Sequence, residues 1–502
     1  MGEEKTEVVK KKVLGTGPII AIAMALIGPA AYGLGFFPTM IGLGTGPVLA
    51  LPILIGTLAC IFTAISIAVL ATKFAYSGGV YAYTREAFEV HTGFIIAWAI
   101  ILAYFFLPTA GALFAGYYGD VFVSSLAGVS TGTYVGLDLV IAVITAFIML
   151  FVAYRGITAG ARTMISILVV QILLIFIIAF WALSAIPPGA NLGAPFDPSF
   201  TSWAAIGAPT GNWSALIAAG FAFFFAFYGF DGTVVFAGEA KNPYKSCALG
   251  AILCILIVGF FYVFWAWSMM LPYSGDIATF QSKAAEILTT FDVSPIAADA
   301  GVAWFGSASA GIAIISFAMI LSALGSGTAA ALMISRVLNA MGKDELLPKS
   351  VGKLHPKYAS PYIAAIAVGV TTLLIPIVAF ALGIPMITAF LFVALWCAWG
   401  VLVMYFFVNI DNIMISRKKL TGKTFITGII VPIIGAALMA YIWWGSGMAG
   451  IPGIPEVAAF AGGPWWNTMM LPGFVWMLLG VIYLIYLRVA KPEALKRGIT
   501  AV

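Results

Sequence analysis

Apolar runs separated by short polar stretches occupy nearly the whole chain. Reading the runs between the polar residues gives twelve segments, at 17–42, 47–71, 92–119, 136–154, 162–186, 213–240, 247–271, 301–340, 360–382, 384–410, 424–446 and 470–489. A helix that crosses the hydrocarbon layer takes about 20 mostly apolar residues, so each run is expected to be one spanning helix. The eighth is too long for one simple span and is expected to tilt or to begin outside the hydrocarbon.

The basic residues test this division independently. With the N-terminus on the cytoplasmic side, Lys283 alone among the 24 Lys and Arg residues falls in an outer connection. Basic residues mark inner loops, and carboxylates carry little topological weight. The outer positions of Asp120, Asp138, Asp197, Asp276, Glu286, Asp292, Asp299 and Glu456 therefore raise no conflict. A wrong segment count would scramble the asymmetry, so both ends are expected inside.

Composition now excludes most other classes. The chain of 502 residues is 63% hydrophobic and 9% charged, with a mean hydropathy of +1.09, where soluble domains carry about 25% charge. The expected class is an all-α polytopic membrane protein with 12 transmembrane helices. "MGEEKTEVVKKKV" is too polar, and the run after it too long, for a cleaved signal. Cys60, Cys247, Cys254 and Cys397 follow no disulfide or metal spacing, and His91 and His355 lie in polar connections. No metal, no cofactor and no nucleic acid partner is expected, and no Walker or dinucleotide motif supports an ATP-driven pump.

Two segments carry interruptions. The first, "GPIIAIAMALIGPAAYGLGFFPTMIG", holds a proline and three glycines at 28–35. Proline deletes a backbone donor and glycine loosens a helix. Alone this is a kink tolerated by packing or a true break, since freed backbone groups in hydrocarbon must find partners or a wet cavity. The sixth segment repeats the pattern as "AFYGFDG" at 226–232. Paired interruptions in corresponding positions of two halves point to a transporter binding site. Half-helix N-termini suit an anion and half-helix C-termini a cation, which together fit an α-amino acid.

Asp231 sits in the second interruption. A charge at mid-bilayer costs about 2.5–3.5 kcal/mol on insertion scales, so an acid here is a functional candidate: a proton carrier or the partner of a positive substrate group. The bland reading is a structural acid bonded to the break. Glu239, beside Lys241 near the inner end, reads as a gate or loop salt bridge.

Three stretches carry a family resemblance. "FYGFDGTVVFAGEAKNPYKSCALGAI" (227–252) resembles the sixth-helix signature of the amino acid–polyamine–organocation superfamily. "FAYSGGVYAYTREAF" (74–88) resembles its loop before helix three, and "SALGSGTAAALMISRVLNAMGKDELLPKSVGKLHPKYASPYIAAI" (322–366) is similar to its helix-eight-to-nine region. The likeness runs from about residue 17 to 410, with the motifs in family order. It implies a leucine-transporter-like fold in which helices 1–5 (17–187) and 6–10 (205–410) form a 5+5 inverted repeat. Helices 1 and 6 are broken, two further helices (424–490) follow, and tails at 1–16 and 491–502 are cytoplasmic. It also implies alternating access in the cell membrane, with amino acids or their amines as substrates.

Roles follow position by position from that resemblance. Anchored on Pro38, the helix-one break falls on Ala31, Tyr32 and Gly33, whose N–H groups, with Gly35 near, would hold a substrate carboxylate. Tyr32 is bulky where relatives place a small residue, and Ala31 stands for a glycine. The carbonyls of Phe225, Ala226 and Tyr228 would receive the ammonium, and Phe225 would be the aromatic gate. Gln171 occupies the slot where some proton-dependent relatives carry a lysine, with Ser326 facing it on helix eight. Asp231, Gln171 and Ser326 are thus the coupling candidates. Gln171 either bonds helices one and eight permanently, or joins Ser326 in a hard-cation site, or is an ordinary interhelical contact.

The scaffold readings are plainer. Trp443–Trp444 and Trp465–Trp466 read as interfacial anchors, 445–466 as an unstructured connection or lid, and "RKKLTGK" (417–423) as a topology signal that also attracts anionic lipid. Phe223–Phe225 and Tyr104–Phe105 read as pocket wall or plain packing. The expected function is secondary transport of neutral amino acids by proton symport or exchange, and no enzymatic activity. An organic-amine or polyamine transporter and a non-transporting nutrient sensor are the alternatives; an intramembrane enzyme would need a histidine inside the bilayer. The oligomeric state stays open.

Overall fold

The computed structural model describes residues 12–75, 78–201, 211–290, 292–418, 421–447 and 471–495. Among them there is no β-strand, only an isolated bridge between Leu14 and Ala240. Among the described residues ten helices are long and apolar enough to cross a membrane, or eleven when the bent pair Thr16–Ile27 and Pro29–Thr45 is taken as one. This is a multi-pass membrane protein.

Helix α1 (Thr16–Ile27) stops at Gly28, whose left-handed backbone (φ 64°) lets its N–H reach back to Met24 and Ala25. Pro29 then opens the next turn, a sequence of glycine stop and proline start that local stereochemistry favours. The axis bends by 42° there. The chain continues through α2 (Ala50–Ala71), the short α3 (Val80–Ala87), α4 (Val90–Phe105) and α5 (Leu107–Ala127), which meet at a bend before Pro108. Next come α6 (Leu137–Arg155) and α7 (Ile157–Ser184).

The sixth expected segment is built from short pieces. Asn212 caps α8 (Trp213–Ala222) by accepting from the Ala215 N–H. A 3-10 turn at Phe223–Ala226 follows, then non-helical residues around Gly229 (φ 119°), then the turns Gly232–Val235 and Phe236–Glu239. Asn242 and Pro243 start α9 (Pro243–Met270). Beyond it lie α10 (Ile277–Thr290), α11 (Ser294–Phe305), α12 (Ala308–Lys343), α13 (Tyr362–Ala381), α14 (Met386–Ser416), α15 (Val431–Gly447) and α16 (Leu471–Ala490).

The eighth segment departs from expectation. Residues 301–305 close α11, and a turn at Gly306 (φ 67°) and Ser307 starts α12. The two helices touch backbone to backbone: a Cβ on Gly311 would run into the Ala297 carbonyl oxygen. A run read between charged residues passes over this turn, because a Gly–Ser pair and not a charge marks it. At 1.5 Å per residue the 36 residues of α12 span about 54 Å, well beyond a hydrocarbon core of about 30 Å.

Helices pack in matched sets. α2 lies on α9, α5 on α12, and α6 on α13; α1 packs on α9 as α8 packs on α2; α7 packs on α12 as α14 packs on α4 and α5. Large apolar side chains such as Phe151, Leu173, Phe260, Leu374 and Ile485 stay exposed, as a surface that meets lipid requires. Trp443 is half-buried against Trp399 and Phe474 rather than outward. The side chain of Trp444, the pair Trp465–Trp466 and most of 445–466 lie outside the described residues.

Candidate functional site

In an unbroken helix the Ala30 N–H would bond to the Leu26 carbonyl. Here the left-handed Gly28 separates that pair, and each half finds a side chain. Ala30 donates to Gln171 Oε1 of α7 (3.4 Å), and Leu26 O accepts from Ser326 Oγ of α12 (2.9 Å). One residue on, Ala31 donates to Ser322 Oγ (3.0 Å). Ser322 and Ser326 stand four apart on α12, so they share a face and straddle the break. Buried backbone groups in an apolar medium must be paired in this way. Gln171 and Ser326 are both fully buried, and no partner is described for Gln171 Nε2.

Replacing Gln171 by Leu orphans the Ala30 N–H and is expected to destabilise the protein by about 1–3 kcal/mol. Thermal unfolding in detergent reads this, and an unchanged midpoint would show that the 3.4 Å contact contributes nothing.

The expected anion donors are thus partly engaged. Ala31 N–H is held by Ser322, and Tyr32 N–H reaches Gly28 O (3.0 Å). Gly33 is a site of close approach, since a Cβ there would run into the Tyr262 ring. A Cβ on Gly35 would stand 3.8 Å from Phe114 Cζ. The Tyr32 ring lies 6.1 Å from Tyr228, 6.3 Å from Phe114 and 6.3 Å from Phe390, and Phe114 and Phe390 are 4.7 Å apart. Four aromatic rings from the two interrupted segments, α5 and α14 therefore meet beside the break. Phe225 is half-buried with its ring 6.4 Å from Phe36 of the first segment.

The second interruption is satisfied in the same manner. Ala226 O accepts from Tyr262 Oη of α9 (2.9 Å), and the Gly229 N–H donates to Tyr405 Oη of α14 (3.1 Å). Tyr405 in turn donates to Asp231 Oδ1 at 2.6 Å, and Tyr104 of α4 donates to the same oxygen at 2.6 Å. Asp231 is fully buried, and no partner is described for Oδ2. One acid thus ties the sixth segment to α4 and α14 and still keeps one oxygen able to accept or to hold a proton.

Away from the interruptions, Val13 and Leu14 N–H groups donate to Glu239 O, and Lys241 N–H to Leu14 O, which staples the start of the first segment to the end of the sixth. Glu239 Oε1 pairs with Arg336 Nε of α12 at 2.8 Å, both side chains being buried; the adjacent Lys241 is not its partner. The Arg336 guanidinium also lies over the Phe236 ring. Among the described residues no three His, Cys, Asp or Glu side chains gather as a metal site.

Sequence reasoning missed Ser322, Phe114, Phe390 and Tyr405. The i, i+4 spacing of Ser322 from Ser326 was a usable signal. A tyrosine or phenylalanine in an apolar helix gives none.

A family model described as amino acid permease matches residues 19–475. The branched-chain amino acid permease BcaP of Bacillus subtilis is 29% identical over 362 residues, covering 68% of this chain and 71% of that one. The low-affinity putrescine importer PlaP of Escherichia coli K12 is 25% identical over 482 residues, 94% and 93% of the two chains. The glutamate/serine transporter AimA of Bacillus subtilis is 26% identical over 380 residues, 71% and 61%. These relatives are transporters rather than enzymes, and the matched region takes in both interruptions, Gln171, Ser326 and the Asp231 cluster. The chain belongs to the amino acid permease family of the amino acid–polyamine–organocation superfamily.

Proposed function

We propose that the protein is a secondary transporter that moves a neutral amino acid across the cell membrane by alternating access, as a proton symporter or an exchanger. The observation that carries this reading is the exchangeable bond at the first interruption. Ala31 N–H rests on the hydroxyl of Ser322, and a carboxylate is a stronger acceptor than a hydroxyl. A substrate carboxylate would take that amide, its ammonium would face Ala226 and its neighbours, and its side chain would lie among Tyr32, Tyr228, Phe114 and Phe390. The matched helix packing supports an inverted repeat of five segments each, within twelve spans, and the basic-residue asymmetry supports termini on the cytoplasmic side. Lipid contact follows from the exposed apolar faces.

Asp231 serves as the coupling acid in this reading. Motion of the sixth segment relative to α4 and α14 has to break the Tyr104 and Tyr405 bonds, and a proton on the carboxyl weakens it as their acceptor. A second reading, transport of an organic amine, is favoured by the partnerless Asp231 Oδ2 among aromatic rings. It is weaker for a polyamine, whose further ammonium groups would need further acids. A nutrient sensor on the same fold is excluded by any measurable flux.

Uptake of labelled amino acids and of putrescine into proteoliposomes, with and without an inward proton gradient and with preloaded substrate, decides between these. Gradient-driven accumulation of an amino acid supports symport, and uptake only after preloading supports exchange. Putrescine uptake alone overturns the amino-acid reading. Phe225→Ala is expected to raise the apparent KM several-fold, about 1 kcal/mol of lost binding, with little change in kcat; an unaltered KM removes Phe225 from the gate role.

A further inference from the structure

Asp411 of α14 is a second fully buried acid, and nothing in the reading above uses it. It stands six residues beyond Tyr405, about 9 Å along the helix axis, towards the inner side. Its Oδ2 lies 2.7 Å from Thr84 Oγ1 of α3, and no partner is described for Oδ1. Thr84 Oγ1 also lies 3.3 Å from Val80 O of its own helix. A hydroxyl has one proton. Thr84 therefore donates to Asp411 Oδ2 through the shorter contact, which leaves Oδ1, buried and with no partner described, as the oxygen that can carry a proton.

The charged groups around Asp411 are engaged or turned outward. Arg85 of α3 is paired with Asp344, and Lys73, after α2, donates to Ser416 Oγ at 2.9 Å. Glu86 of α3, Glu89 after it, His91 of α4, Arg417 and Lys418 after α14, Lys423 before α15 and Arg488 of α16 are exposed. Asp120 of α5 accepts from Ser124 and Gly132 at the far end of its helix. α13 and α15 contribute no charge, and Asp231 is reached only through Tyr405. Among the described residues no cation pairs with Asp411, and an unpaired carboxylate in an apolar interior is strongly disfavoured against the neutral acid.

We propose that Asp411 is a second proton-binding site, which holds a proton on Oδ1 while docked α3 buries it and donates from Thr84 to Oδ2, and which releases that proton to water on the inner side when α3 moves away. The position of α3 gives this weight. A Cβ on Gly79, at its start, would lie 2.7 Å from Val235 of the sixth segment, and Arg85 pins its other end to the loop after α12. α3 therefore closes over the inner end of the sixth segment, and Asp411 is its bond to α14. In the release step the carboxylic O–H bond breaks, the carboxylate keeps the electron pair, and water takes the proton. The proton-bound form belongs to docked α3, so raising the inner pH favours undocking.

Infrared difference spectra of the full-length protein in liposomes, stepped in pH without substrate, test the site independently of the transport reading. Asp411→Asn is expected to lose part of the protonated-carboxyl absorption, which Asp231→Asn retains. Thr84→Val keeps that part of the band with its frequency shifted. An unchanged absorption in Asp411→Asn at every pH overturns the proposal, as does an unshifted band in Thr84→Val. The link to α3 rests on the transport reading and is read by exchange at varied inner pH. The rise of rate with inner pH is expected in the native protein and lost in Asp411→Asn; an identical profile in both overturns the link.

Discussion

Asp231→Asn is expected to abolish proton-gradient-driven accumulation in proteoliposomes while substrate binding, read as ligand-induced thermal stabilisation, is largely retained. The substitution keeps the shape of the side chain and an oxygen that accepts from Tyr104 and Tyr405, so the three helices stay tied. What it removes is the ability to change charge. The two bonds, each 2.6 Å, lose any assistance from a negative acceptor, and such assistance roughly doubles a hydrogen bond. The loss in stability is expected at about 1–3 kcal/mol, much less than the loss of function.

The two tyrosines provide the internal control. Tyr104→Phe deletes one bond to Asp231. Tyr405→Phe deletes the other and also orphans the buried Gly229 N–H, a further cost of about 1–3 kcal/mol. The unfolding midpoint should therefore fall further for Tyr405→Phe than for Tyr104→Phe. Proton-dependent accumulation that survives in Asp231→Asn removes the acid from coupling, whatever the stabilities.

Gly229→Ala is expected to have a large structural effect for a single added methyl group. Its φ of 119° is a conformation that side chains rarely adopt, with a cost of about 1–3 kcal/mol. The added Cβ would also lie 2.9 Å from Leu26 Cγ and 3.3 Å from the Ile27 nitrogen. The sixth segment would be wedged away from the end of α1. Gly128→Ala separates the two causes, since Gly128 has a φ of 69° and nothing within 4 Å of a Cβ. Thermal unfolding should rank Gly229→Ala well below Gly128→Ala, with transport lost only in the first. Equal midpoints would mean that the first and sixth segments do not need their contact at Gly229.

Much of this architecture was legible in the chain because lipid imposes one simple rule on a spanning helix. The apolar runs, the glycine and proline at 28–29 and the isolated Asp231 all follow from what hydrocarbon permits. The turn at Gly306–Ser307 escaped, because packing of small residues rather than polarity ends α11. Glu239 escaped in another way. Its neighbour in sequence is Lys241 and its partner is Arg336, 97 positions on, and only folding brings those two together. Tyr405 was hidden for a third reason. Its phenol matters through two bonds to another segment, and nothing in an apolar helix distinguishes such a tyrosine from one that fills space.

Ser322, Ser326 and Arg336 all ride on α12, which runs without interruption from Ala308 to Lys343. Ser322 and Arg336 are 14 residues apart, about 21 Å along the axis. The helix whose Ser322 holds the Ala31 amide is thus the same rod that grips Glu239. A stiff rod transmits displacement and torque without a relay of intermediate side chains. If substrate displaces Ser322 as proposed, that contact and the Arg336–Glu239 pair are two ends of one lever, and a label at the Arg336 end would register an event at Ser322 that it never touches.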